Sequence, residues 1–368
     1  MADKSAYVEV FGCLQNEADG EALRGVLRGM GYAFTPAAAD ADLVVLVSCA
    51  VREKAEQRLY GRLGSLARGG KPGRVVAVCG CAPQLPAARD TIRRSYPHVN
   101  LLFAPGEIAS LPALLSALTA SGERLFTPIG AQAPPETAAP PPLRAAGPKA
   151  NVSVMTGCNN ACSYCVVPRA RGPERSRSPE RIEEEVRALV ADGYTEIWLL
   201  GQNVCSYAFG FPALLRRLAA IDGRFALRFM TSHPKDTGEE LFRVMASCEK
   251  VAPFLHLPVQ SGSDNMLRAM NRGYTREEYL GTVRLARAHV PALNLTSDII
   301  VGFPGESEED FCATLSLLEE VRFNHLFTFL YSPRSGTPAA ALPCGLSAAE
   351  KKGRFARLLD AQKRLESA

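Results

Sequence analysis

Long apolar runs are missing from this chain. No stretch of about 18 apolar residues occurs, which excludes a helical membrane span. The first residues, MADKSAYVEVFG, lack a basic stretch followed by an apolar core, so no secretion signal is read and the expected compartment is the cytosol. A strong charge of either sign is also absent. Lys plus Arg is 42 and Asp plus Glu is 38, a net charge of +4 that permits a nucleic-acid partner without demanding one. Histidine is scarce: the five stand at 98, 233, 256, 289 and 325, none near the densest group of cysteines. No solenoid-type repeat is found. Hydrophobic residues are 47% and charged residues 22%, which rules out global disorder; 368 residues suggest two or three domains.

Cysteine is abundant instead. There are 11, an odd number in a large chain without a secretion signal. Disulfides account for such a set poorly, and metal binding or catalysis is the better reading for those that cluster.

Residues 7–119 alternate short apolar runs with helical patterns. Strands are predicted at 7–11, 42–48, 74–80 and 101–104, and helices at 15–31, 52–68, 85–96 and 107–119. Continuous apolar strands between helices imply a parallel sheet covered on both faces. Seven prolines within 128–148 then exclude a helix interior or central strand, and this stretch reads as an extended linker. Six further strands are predicted at 152–157, 196–203, 227–233, 254–262, 293–302 and 325–332. Helices are expected at 179–193, 211–222, 237–250, 275–290 and 307–322, with a last one near 347–366. The fold class is therefore α/β: an N-terminal doubly wound parallel sheet (1–127), a Pro-rich linker (128–148), a partial (β/α)6 barrel (149–340) and a C-terminal helix (341–368). Sites in such sheets lie at the carboxyl ends of the strands.

Cys158-Asn-Asn-Ala-Cys162-Ser-Tyr-Cys165 follows the first barrel strand. Three thiolates in so short a loop can wrap one metal centre. An iron–sulfur cube normally takes four cysteines, so three leave one iron open for a small molecule. Zinc is the alternative, although its structural sites prefer four protein ligands. Cys13, Cys49 and Cys81 each stand just past a predicted parallel strand, where distant residues converge. Spacing alone leaves open whether they form a second centre or are three buried thiols. Cys79 alternates with Cys81 and is read as core. Cys248 and Cys312 fit helix packing, Cys205 carries no assigned role, and Cys344 lies in a Pro/Gly turn.

CxxxCxxC with an aromatic before the last cysteine resembles the signature of radical S-adenosylmethionine (SAM) enzymes. Gly12-Cys13-Leu14-Gln15-Asn16, Ser48-Cys49-Ala50-Val51-Arg52-Glu53-Lys54-Ala55 and Gly80-Cys81-Ala82-Pro83-Gln84 resemble the cysteine motifs of the methylthiotransferase family. Leu14, Ser48 and Pro83 depart from its usual residues. GCNNACSYCVVPRARGPERSR (157–177), LLGQNV (199–204), TSHPKD (231–236), HLPVQSGSD (256–264), MNRGYTREEY (270–279), DIIVGFPGESEEDF (298–311) and FTFLYSPRSGTPAA (327–340) resemble its MiaB-type, tRNA-directed branch.

The resemblance implies two 4Fe–4S clusters, held by Cys158, Cys162 and Cys165 and by Cys13, Cys49 and Cys81, with SAM as cofactor. It implies methylthiolation of C2 of N6-isopentenyladenosine at tRNA position 37, beside the anticodon, with the second cluster as sulfur station. Expected cofactor contacts are Tyr164, Gly201, Gln202, Asn203, Gln260, Ser261 and Gly302. Strand-end amides suit a SAM amino group, and the Gly302 turn suits close approach of adenine. Arg169, Arg171, Arg175 and Arg177 are read as phosphate contacts. A monomer with no membrane association, served by an electron donor such as flavodoxin or ferredoxin, is expected. Relatives usually continue into an all-β RNA-binding TRAM domain, whereas this sequence stops at Glu366-Ser367-Ala368, so the expectation is a chain without it. The alternatives are a methylthiotransferase acting on threonylcarbamoyladenosine in tRNA or on a ribosomal protein, and a non-catalytic iron–sulfur electron carrier.

Overall fold

A computed structural model describes residues 4–51, 53–132, 140–343 and 345–366. The chain forms two compact units: Met1–Ala146 with Val166–Pro173, and Gly147–Cys165 with Glu174–Ala368.

In the first unit strands β1 (Ser5–Phe11), β2 (Ala33–Phe34), β3 (Leu43–Ser48), β4 (Val75–Gly80), β5 (Leu101–Leu102) and β6 (Leu125–Phe126) alternate with helices α1 (Leu14–Gly29), α2 (Glu53–Leu66), α3 (Pro86–Ser95) and α4 (Leu111–Ser121). The short helix α5 (Val167–Arg171) also belongs to this unit. The sheet is parallel throughout, in the order β2-β1-β3-β4-β5-β6. Every residue of β3 is buried, as a central parallel strand with helices on both faces requires. Val44 and Leu46 pack with Leu59 and Leu63 of α2 on one face, while Val45, Val47 and Cys79 pack with Leu23 and Leu27 of α1 on the other. Cys79 is thus core. The strand order reverses between β1 and β3, and the crevice at such a switch point is where doubly wound sheets bind ligands. Residues 140–143 of the proline-rich stretch lie on α1: Pro140 and Pro141 pack on Gly29 and Gly25, and the Leu143 amide donates to the Glu21 carbonyl at 2.9 Å. Residues 133–139 of the expected linker lie outside the described residues.

The second unit contains β7 (Lys149–Ser153), β8 (Met155–Thr156), β9 (Arg175–Ser176), β10 (Glu196–Leu200), β11 (Ala226–Phe229), β12 (Phe254–His256), β13 (Asn294–Val301) and β14 (His325–Leu330). Its helices are α6 (Pro179–Ala191), α7 (Phe211–Ala219), α8 (Glu239–Ser247), α9 (Asp264–Ala269), α10 (Arg276–His289), α11 (Glu308–Val321) and α12 (Ala348–Glu366). Two parallel sheets, β11-β10-β7 and β12-β13-β14, share one core and meet through the Leu227–Val251 bridge, giving a six-stranded partial barrel. The strand predicted over 254–262 stops at His256, because Pro258 has no amide hydrogen for a ladder. The predicted 152–157 strand divides: β8 turns away from β7 to pair antiparallel with β9. This small hairpin brackets the segment that carries Cys158, Cys162 and Cys165.

Candidate active site

Register brings the first cysteine triplet together. Phe11, Ser48 and Gly80 are Cα partners across β1, β3 and β4, so the three strands end level. Cys13, Cys49 and Cys81 follow immediately. Two glycines permit the close approach. A Cβ on Gly12 would stand 2.9 Å from the Cys49 Cβ, and one on Gly80, at φ +102°, would stand 2.4 Å from the Ser48 carbonyl oxygen. Cys13 sits at the N-terminus of α1, and its thiol donates to Asn16 Oδ1 at 3.4 Å. A hydrogen bond from Cys49 pulls the Cys13 thiol down to about 6, whereas the same contact and burial push Cys49 up. Burial raises Cys81, which also senses the charge of Cys13. Ala50, Leu85, Ala88, Val166 and Ala170 form an apolar wall round Cys81.

Into this site projects Arg171, one of the arginines read from the sequence as a phosphate contact. The structure corrects that reading. Arg171 is 6% exposed; its guanidinium pairs with Asp19 at 2.5 Å and donates from Nε to Cys81 Sγ at 3.1 Å. Arg177 is also engaged internally, with Glu185 and the Ser153 carbonyl, both at 2.7 Å. Arg169 and Arg175 are exposed.

The second triplet lies at the carboxyl end of β7, in the loop between β8 and β9. The loop is stapled at its base: Asn159 donates from its amide and Nδ2 to Glu174, and Glu174 N–H donates back to Asn159 Oδ1. Further along, Ser163 Oγ donates to the Ala269 carbonyl at 2.8 Å, and Asn271 Nδ2 donates to the Ala161 carbonyl at 2.8 Å. Cys158 and Cys162 are buried and Cys165 half-buried. Arg272 donates from Nη1 to Cys162 Sγ at 3.2 Å and to the Tyr164 hydroxyl at 3.3 Å. Its Nη2 donates to the Pro258 carbonyl at 2.7 Å.

The expected cofactor residues divide by what already holds them. Gln202 Oε1 accepts from the Gly157 amide at 2.6 Å and so pins the start of the cysteine loop. Gly201 packs too closely on Met155 to admit a side chain. The Ser261 hydroxyl is not free for a ligand: it meets Thr314 Oγ1 at 3.2 Å and accepts from the Ser263 amide. Tyr164 packs against the cluster formed by Met266, Met270, Phe303 and Tyr331. Gly302 holds φ +75° and donates its amide to Glu306 Oε2 at 3.0 Å. Asn203 donates to Asp236 at 2.7 Å, yet its Oδ1 is buried without a partner among the described residues, as is Gln260 Oε1.

Sequence reasoning assigned no individual role to Asp19, Arg272 or His233. His233 follows β11, accepts from the Lys235 amide on Nδ1 at 3.3 Å and leaves a buried Nε2–H without a partner among the described residues. Burial, with Arg272 and Lys235 nearby, pushes its pKa down to about 3, so the ring is neutral. TSHPKD and MNRGYTREEY contain His233 and Arg272; the signal lay inside motifs read whole. Of the other cysteines, Cys248 packs on the core, whereas Cys312 is exposed on α11, contrary to its expected packing role. Cys344 lies outside the described residues.

Among the described residues no three His, Cys, Asp or Glu side chains close round a point that a single ion could fill. A cube presents its irons at separate corners, so its thiolate ligands stand farther apart than those round one ion. Each triplet consists of thiols alone and receives a guanidinium on one sulfur; Cys49 senses the charges of Cys13 and Cys81, and Cys158 senses that of Cys162. Three thiolates leave a structural zinc one protein ligand short, whereas a cube that keeps one iron open needs only three.

A partial barrel with three cysteines at the end of its first strand defines a radical SAM protein, here preceded by a doubly wound unit with a cysteine triplet at its own strand ends. Residues 152–318 match the Radical SAM superfamily, and residues 5–104 match the Uncharacterized protein family UPF0004. The tRNA-2-methylthio-N(6)-dimethylallyladenosine synthase of Acetivibrio thermocellus is 46% identical over 368 residues, covering 97% of this chain and 76% of the relative. That of Moorella thermoacetica is 43% identical, covering 98% of this chain and 83% of the relative. In fold the chain resembles the radical SAM methyltransferase TsrM from Kitasatospora setae, solved with cobalamin and a [4Fe-4S] cluster. The TM-score is 0.69 at 15% identity, over 92% of this chain and 74% of that one. The chain belongs to the tRNA-2-methylthio-N(6)-dimethylallyladenosine synthase family of radical SAM methylthiotransferases. As a member it is an enzyme that uses 4Fe–4S clusters and SAM.

Proposed function

We propose that the chain methylthiolates C2 of N6-isopentenyladenosine at tRNA position 37, giving the 2-methylthio nucleoside. The observation that carries this reading is the presence of two separate all-cysteine sites, one at the strand ends of each parallel-sheet unit. One such site would serve SAM cleavage alone; a second gives the transferred sulfur a station. C2–H is too weakly acidic for a side-chain base, and the bound cluster and SAM supply the radical chemistry that it demands.

The chain's own residues bind and orient. Cys158, Cys162 and Cys165 would hold one cluster, the one that serves SAM cleavage. Cys13, Cys49 and Cys81 hold the other. Asn203 Oδ1 and Gln260 Oε1 are unpaired acceptors suited to an ammonium group, and His233 Nε2–H is an unpaired donor suited to a carboxylate or a ring nitrogen. Buried polar atoms without partners are costly, so their concentration at the ends of β10, β11 and β12 favours a ligand there. Gly302 has no side chain of its own to block adenine, although the Lys351 side chain lies over it and would have to move aside; the Tyr164 ring packs beside its cysteines. The target base must leave the anticodon stack to be reached. Arg169 and Arg175 are the loop cations available for phosphate. We read the protein as a cytoplasmic monomer, reduced by a flavodoxin or ferredoxin; no described helix is long and apolar enough to cross a membrane.

The test offers the reconstituted protein SAM, dithionite and, separately, tRNA carrying isopentenyladenosine, tRNA carrying threonylcarbamoyladenosine, unmodified tRNA and ribosomal protein. Nucleoside and peptide mass spectrometry then locates any methylthio group. Product with isopentenylated tRNA alone is expected. Product only with another acceptor moves the substrate, and two clusters without SAM cleavage would make the chain an electron carrier.

A further inference from the structure

Arg171 joins two of the three cysteines of the first triplet through an unbroken chain of contacts. Cys13 Sγ meets Asn16 Oδ1 at 3.4 Å, Asn16 Nδ2 donates to Asp19 Oδ2 at 3.5 Å, and Asp19 clamps both η nitrogens of Arg171 at 3.3 and 2.5 Å. A guanidinium carries its donors in a rigid fork. With both η nitrogens held by one carboxylate, the direction of Nε–H is fixed, and it points at Cys81 Sγ, 3.1 Å away. Asp19 itself is buried on α1. Hydrophobic residues of similar volume often replace a buried ion pair without loss of stability. Stability alone therefore does not account for a buried Arg–Asp pair aimed at a sulfur.

We propose that Arg171 is a positioning residue for the second cluster, its Nε–H fixing the Cys81 sulfur and making the cluster easier to reduce, with Asp19 offsetting part of that effect. The inference rests on the reading above that Cys13, Cys49 and Cys81 hold a cluster. Hydrogen bonds to ligating sulfurs and the net charge round them set iron–sulfur potentials. A guanidinium donor draws electron density from the sulfur and favours the reduced cluster; the Asp19 carboxylate acts in the opposite sense.

The experiment uses the full chain with Cys158, Cys162 and Cys165 all changed to Ala, reconstituted anaerobically with iron and sulfide, so that only the second cluster remains. Its midpoint is followed by electron paramagnetic resonance during reductive titration. Arg171→Gln should keep about four irons, one cube's worth. At the potential where the parent is half reduced, its ratio of reduced to oxidised cluster should be about tenfold lower, equivalent to about 59 mV for one electron. Asp19→Asn should move the midpoint the other way, and Arg171→Lys should fall between parent and Arg171→Gln. Should Arg171→Gln fail to fold, Asp19→Asn and Arg171→Lys decide the matter. Unchanged midpoints in the folded variants overturn the proposal and leave Arg171 a structural residue. A parent that takes up no iron overturns instead the assignment of the second cluster.

Discussion

Arg272 donates a hydrogen bond to Cys162 Sγ at 3.2 Å, and among the described residues no carboxylate is one of its hydrogen-bond partners. Those partners are the thiol, the hydroxyls of Tyr164 and Tyr274, and the Pro258 carbonyl. The contrast with Arg171, clamped by Asp19, is one of charge. A buried cation without a counter-ion is costly, and thiolates at Cys158, Cys162 and Cys165 would supply the missing negative charge. Arg272→Gln should therefore make the iron at this site labile: chelator removes about four of about eight irons faster than from the parent. Equal chelation rates for parent and variant count against this role.

Replacing each cysteine triplet should separate two activities. With Cys158, Cys162 and Cys165 changed to Ala, about four irons remain, one cube, and SAM cleavage is abolished. With Cys13, Cys49 and Cys81 changed instead, 5′-deoxyadenosine still forms from SAM, but the methylthiolated nucleoside does not. Persistent SAM cleavage in the first variant would falsify the assignment of the barrel loop. Methylthio product from the second would remove the sulfur-station role.

Most of the fold is legible from local pattern. An apolar run such as LVVLVS bounded by helical periodicity has few alternatives to a buried parallel strand, and β3 is one. Elements of two residues, such as β2 and β6, carry too little periodicity to be read, because cross-strand pairing rather than their own sequence makes them strands. The cysteines are legible because thiols that follow successive parallel strands are carried to one edge of the sheet. The arginines are not. Arg171 and Arg177 sit in a basic loop that looks like a phosphate grip, and only tertiary contacts turn one toward Asp19 and Cys81 and the other toward Glu185. Asp19 looks like any polar helix residue until the ion pair is seen. Ser261 reads as a ligand contact in Gln-Ser-Gly, but Thr314, on a helix 53 positions away, takes its hydroxyl.

His233 makes the protein acid-sensitive in a defined window. Burial and two neighbouring cations hold its pKa at about 3 in the folded state, against an ordinary value of 6.5. Below about pH 6.5 the unfolded chain takes up a proton that the folded chain refuses, so stability falls with falling pH until about 3, where the loss levels off. The contribution lost between about pH 6.5 and 5.5 is about 1 kcal/mol. His233→Gln cannot titrate, so its urea midpoint should fall less than the parent's over that interval. Parallel pH profiles for the two proteins would show that His233 is not held neutral by the fold.

The C-terminal helix is latched to the turn after β13, and breaking that latch should give a pH dependence of opposite sign. Arg354 of α12 donates to Glu306 Oε2 at 2.8 Å and to the Glu306 carbonyl at 2.9 Å; both side chains are buried. Glu306 Oε2 also takes the Gly302 amide, so the ion pair holds the turn at the end of β13. Burial raises the pKa of Glu306, and Arg354 opposes that rise. Arg354→Met leaves a buried carboxylate unpaired, which should cost about 3–5 kcal/mol near neutral pH. Without its cation Glu306 moves further up, and the folded variant then binds a proton that the unfolded chain releases above the ordinary carboxylate range. A group with a raised folded pKa contributes stability at low pH and loses it as pH rises. The deficit of Arg354→Met relative to the parent should therefore shrink between about pH 7 and 5. Glu306→Gln combined with Arg354→Met should recover part of the loss at neutral pH, since Gln keeps an acceptor for the Gly302 amide without a buried charge. Urea midpoints of the three proteins at several pH values provide the measurement. A deficit constant across that range, or no recovery in the double variant, would mean that the loss comes from packing of α12 and not from the stranded carboxylate.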